Sequence, residues 1–141
     1  MSRLLGWVGA AVAEGAADAV IEEMALASPF AGEDRPQAQK GPGQALAVSG
    51  AAQNGAVAAD GSILAAITGR PRWIEPSLAE LATRRGPAVA LIEAYRRHGP
   101  ELFQHLHGAC ALSVIAAAEG RTLLAIDRAG IETLCYSQPK S

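Results

Sequence analysis

Two periods of apolar spacing alternate along the chain, and the sharpest change between them falls inside residues 88–136. Over 88–98, Val89, Leu91, Ile92 and Tyr95 recur at helical spacing, and Arg96, Arg97 and His98 close the run. Gly99-Pro100 stops this helix, and Pro100 suits the first turn of the next. Residues 101–107 repeat the helical period, with Leu102, Phe103 and Leu106 on one face before Gly108. Beyond Gly108 the pattern becomes two continuous apolar runs, 109–116 and 122–126, separated by a turn at Glu119-Gly120. These predict two strands. Asp127-Arg128-Ala129-Gly130 predicts a turn leading into a third strand over 131–136.

Upstream, residues 4–9 read as a strand whose two glycines suggest a close backbone approach or a bend. Residues 14–27 predict an amphipathic helix, with Ala17, Val20, Ile21, Met24 and Ala25 on one face and Asp18, Glu22 and Glu23 on the other. The proline- and glycine-rich segment 28–43 predicts a loop. A short strand at 44–49, a turn at 50–55 and a strand at 56–59 that pairs back follow. Asp60-Gly61 is a hairpin-type turn into a buried strand at 63–67. Residues 68–73 are expected to leave the sheet, and 76–83 to form a small helix with Leu78 and Leu81 inward. Residues 84–87 link to the central stretch, and no repeat or interdomain linker interrupts the chain.

At 141 residues the chain suits one domain with a sizeable core. A net charge of −2 offers no basic face, which argues against nucleic acid as a partner. Cys110 and Cys135 are too few for a disulfide framework and both fall in apolar strand contexts, so they read as buried free thiols of a cytosolic protein. The apolar run 4–13, with Ala11-Val12-Ala13 as a cleavage site, superficially resembles a short signal peptide. A single Arg before the run, and Gly6 and Gly9 within it, favour a buried strand and a cytoplasmic location instead. No apolar run approaches the roughly 18–20 residues that span a bilayer, so no membrane partner is expected.

The order helix, G-P-E-L-F-x-x-L-x-G-A-C-A-L, strand, E-G, strand, D-R-A-G-I-E-T-L-C-Y resembles the glutamine amidotransferase domain of the asparagine synthetase family. The match is sharp over about 50 residues and collinear back to the N-terminus. It implies an α+β fold of the N-terminal-nucleophile type, a sandwich of two antiparallel sheets between helices. It also implies that residues 1–141 form an incomplete amidotransferase domain, since the family's fold runs through further strands.

The same resemblance places the nucleophile at the residue after the initiator Met, where its own α-amine acts as the local base. Ser2 occupies that position. A hydroxyl is far less acidic than the family's thiol, which weakens a site built for sulfur. The family's oxyanion-stabilising Asn-Gly pair matches Thr68-Gly69, so the glycine persists and the amide donor does not. Loss of one such donor costs about 10²–10³ in rate. The substrate-binding acid is missing from Arg85-Gly86-Pro87, and no Arg stands in 44–49 to hold the substrate carboxylate. The arginine-rich motif of the early loop is replaced by residues 28–34.

These departures predict a non-catalytic amidotransferase-like domain, similar to those of β-lactam synthetases and lasso-peptide cyclases. Such a domain supports an ATP-dependent synthetase, in cis or in trans, that adenylates a carboxylate and joins it to an amine already in the substrate. Mg²⁺ and ATP would belong to that synthetase, and no cofactor is expected in the present chain. The acceptor would be a peptide or small molecule. An unfinished sandwich also leaves sheet edges that a partner or a second copy covers. Two alternatives stand beside this one: a working glutaminase with Ser2 as nucleophile, and a stand-alone binding module.

Other residues read as structural. His105, His107 and Cys110 have metal-binding side chains, but the two histidines alternate at a helix end instead of sharing a face. Arg70, Arg72 and Trp73 read as a solvated loop, with anion or partner binding as the functional alternative. Asp127 and Arg128 read as a turn-fixing pair, and the 96–98 basic run as a complement to the helix dipole.

Overall fold

Alternating side chains in the strands sort the core into three apolar layers. The computed structural model describes residues 2–9, 12–27, 35–50 and 55–138. The motif substitution read at 28–34 and most of the turn at 50–55 lie outside them. The first sheet contains β1 (Arg3–Val8), β2 (Gln37–Gly41) and β3 (Gln44–Ser49), all antiparallel in the order β1-β3-β2. The second contains β4 (Gly55–Asp60), β5 (Ile63–Gly69), β8 (Cys110–Ala116) and β9 (Arg121–Ile126), antiparallel in that order. A two-residue ladder joins β6 (Arg72–Trp73) to β7 (Leu106–His107).

In β3, Ala45 and Ala47 face α1 (Ala17–Leu26), packing with Ile21, Leu5 and Trp7. Their neighbours Leu46 and Val48 face the other way, onto Leu64, Ala66 and Ile115 of the second sheet. The opposite face of that sheet carries Ile67, Leu112 and Val114. Those pack under α2 (Pro76–Arg85) and α3 (Pro87–His98), which contribute Leu78, Leu91, Ile92 and Tyr95. The layers therefore run helix, sheet, sheet, helix. Strands with period-two alternation and apolar residues on both faces require this, because each sheet must be covered twice.

Proline occupies the first turn of both α2 and α3, where a missing N–H costs nothing. A 3-10 segment, Gly99–His105, follows α3 and returns the chain to β7. Tyr95 of α3 donates its hydroxyl to Glu119 at 2.7 Å, tying the helix to the β8–β9 turn. Burial, and then that bond, raise the Tyr95 pKa above its ordinary value.

Several expectations are corrected. Residues 101–107 form the end of the 3-10 segment and then β7, not an α-helical repeat. The expected loop contains β2, whose polar residues line an edge with one side toward solvent. Strand β4 pairs with β5 in the second sheet, not back onto β3. Thr68 and Gly69 remain within β5, and Arg72-Trp73 enter a new ladder. No third strand forms over 131–136, where Ile131 and Tyr136 are exposed. Cys110 is buried as expected, but Cys135 is exposed. Among the described residues no helix is long and apolar enough to cross a membrane.

Candidate functional site

Strand parity brings the sequence-predicted residues to one end of the space between the sheets. Ser2 precedes β1 and is buried, two residues from the inward Leu4. Across the gap, β4 opens at Gly55, which pairs with Thr68 of β5. A Cβ on Gly55 would lie 3.4 Å from the Ser2 Cβ and 2.2 Å from Val48 Cγ1. Only a residue without a side chain lets the start of β4 pass there. Ser2, Val48 and Thr68 therefore cluster around Gly55, drawn from the residue before β1 and from β3 and β5.

Thr68 is 2% exposed and shares the inter-sheet face of β5 with Leu64 and Ala66. Its hydroxyl donates to the Ala111 carbonyl across the β5–β8 ladder at 3.5 Å, the long limit for such a bond. The hydroxyl is thus turned toward its own sheet. Gly69 holds φ +92°, and a Cβ there would meet the Ala109 carbonyl oxygen at 2.3 Å. The same oxygen accepts the Arg70 N–H at 2.7 Å. Gly69 is explained by this crossing of β5 and β8.

Sequence reasoning missed Ser113. It lies in β8 opposite Ala66, is 1% exposed, and its hydroxyl has no hydrogen-bond partner among the described residues. Its signal was a lone polar residue inside the apolar run 109–116. Ser2, Thr68 and Ser113 make the lining hydroxylic, with groups that neither ionise near neutral pH nor attack a carbonyl unaided.

The other candidates separate. Cys110 is buried on the helix-facing side of the second sheet. Burial, with Asp127 and Glu132 nearby, pushes its thiol up to about 11, so it is not a nucleophile at neutral pH. His107 is exposed on β7 and does not join His105. Trp73 is buried in the core, whereas Arg70 and Arg72 are partly or fully exposed, so the three do not form one surface. Asp127 accepts N–H bonds from Ile131 at 3.0 Å and Glu132 at 2.9 Å, which fixes the turn as expected. Those backbone bonds hold its carboxyl below the usual range. The basic run does more than complement a dipole: Arg96 pairs with Asp60 at 2.7 Å, and Arg97 and His98 both engage Glu75.

No model of a known protein family matches the chain, and comparison with curated proteins and with solved structures gives no match.

Proposed function

We propose that this chain is an amidotransferase-like domain of the asparagine-synthetase type, kept as a scaffold and not as a glutaminase. The helix–sheet–sheet–helix layering supports this reading, since a sandwich of that order is what the N-terminal-nucleophile resemblance implies. One observation carries it furthest. A Cβ on Gly55 would lie 3.4 Å from the Ser2 Cβ and Gly55 pairs with Thr68, so the residues that the resemblance assigns to the nucleophile and oxyanion positions both border Gly55. Yet hydroxyls stand where that chemistry uses a thiol and an amide, and the Thr68 hydroxyl is bonded to Ala111.

In this reading the domain supports an ATP-dependent synthetase, in cis or in trans, that makes an amide from an adenylated carboxylate and an amine on the substrate. ATP and Mg²⁺ belong to that second domain, and no residue of the present chain is assigned to them. The test is to follow the coding frame beyond Ser141 and the neighbouring frames. An S-G-G-x-D-S-bearing synthetase is expected there, with AMP release that needs an amine substrate and is not supported by glutamine. Absence of any such synthetase, or AMP release driven by glutamine, overturns the proposal.

A further inference from the structure

Three side chains far from the inter-sheet site converge in the helical layer. Glu75 immediately precedes α2, His98 ends α3, and His105 ends the 3-10 segment that follows. The β6–β7 ladder holds the two chain segments together, with the Ile74 N–H donating to the His105 carbonyl at 3.0 Å. Glu75 Oε1 faces both imidazoles: it contacts His98 Nε2 closely and lies 3.1 Å from His105 Nδ1. The two rings stack with centroids 3.7 Å apart and planes within 12°.

We propose that Glu75, His98 and His105 bind a divalent transition-metal ion, with Zn²⁺ the best chemical fit. One donor atom from each lies within 4.8 Å of the others, a span that a single ion can bridge after small adjustments. Two imidazoles and a carboxylate make a three-ligand zinc set, leaving a fourth position for water. All three side chains are a quarter to a third exposed, so an ion enters directly from solvent. Glu75 Oε1 lies against a nitrogen of each imidazole, an approach that a shared proton or a cation stabilises.

The surroundings favour ligation. Arg97 donates to the other carboxylate oxygen, Glu75 Oε2, at 3.2 Å and to Ser77 Oγ at 2.8 Å. It thereby fixes the carboxylate with Oε1 turned to the histidines, as an outer-shell partner does. Its own charge is countered by Glu93, which accepts from Arg97 Nε at 2.9 Å. The parallel rings direct their lone pairs side by side, so one ring must turn about its Cβ–Cγ bond when the ion enters.

Zn²⁺ alone is the probe, titrated calorimetrically into the purified chain carrying Cys135→Ser to remove the exposed thiol. One equivalent is expected to bind and to raise Tm. His98→Gln, His105→Gln and Glu75→Gln are each expected to weaken binding about tenfold or more. His107→Gln is expected to bind as the parent does. Glu75→Gln keeps the side chain's shape and its contact with Arg97, so it separates lost ligation from lost packing, and circular dichroism confirms folding. Absence of saturable binding, binding undiminished in Glu75→Gln, or binding lost in His107→Gln overturns the proposal.

Discussion

At the scale of the residue, two positions in neighbouring strands of the second sheet lead to opposite predictions. The Ser113 hydroxyl is buried without a partner among the described residues, so no bond there offsets its desolvation. Ser113→Ala removes that cost and keeps the volume nearly unchanged. It is expected to raise stability by about 1 kcal/mol, read as a higher urea midpoint at constant m. A fall of similar size would mean that the hydroxyl is bonded in solution. Gly69→Ala should act the other way, because a methyl there meets the Ala109 carbonyl and φ is +92°. A loss of about 2–3 kcal/mol is expected from strain at that crossing. A variant as stable as the parent would show that β5 and β8 separate easily there.

At the scale of the element, α3 is the piece on which the second core is built. Leu91 is fully buried in that core, whereas Leu26, at the end of α1, is 74% exposed. Leu91→Ala is expected to cost about 2–5 kcal/mol and Leu26→Ala to stay within about 0.5 kcal/mol, by denaturant titration of both. Equal effects would contradict the packing. Elements with a strong internal signal were legible: α3 from its apolar spacing, and β3, β5 and β8 from their largely apolar runs. Strand β2 was not, because QAQKG is an edge strand of half-buried and exposed residues without an apolar run. Residues 131–136 were misread because apolar residues there remain in solvent. The Asp60-Gly61 turn signal was legible and marks the β4–β5 hairpin, whose two strands pair within the second sheet. The sites were legible only in part. Ser2, Thr68 and Gly69 were named from a resemblance, but that Ser2 and Thr68 both border Gly55 was visible only in the fold. Glu75 and His98 are 23 positions apart, and no local motif joins them.

At the scale of the whole molecule, carboxylates tie separate elements together. Asp60 is held below its ordinary pKa first by its hydrogen bond from Arg96, which joins the β4–β5 turn to α3. For Glu75, burial pushes the pKa up, but hydrogen bonds from His98 and Arg97 and the two histidine charges outweigh it and leave it lowered. Asp127 is lowered by the backbone N–H groups of Glu132 and Ile131. Groups depressed in the folded state contribute stability above their unfolded pKa, near 4, and lose it as pH falls through the folded value. The urea midpoint is therefore expected to drop between pH 6 and pH 3, and to drop less in high salt because these pairs are at least partly open to solvent. A midpoint independent of pH over that range would contradict these pairings.

The central claim is the proposal that the inter-sheet cluster around Ser2 and Thr68 does not work as a glutaminase centre. Glutamate release from glutamine, followed for the parent chain and Ser2→Ala after mass spectrometry establishes the N-terminal residue, tests it most directly. The expected result is no release from the parent above that of Ser2→Ala. Glutamate production by the parent that disappears in Ser2→Ala would contradict the claim and restore Ser2 as a nucleophile.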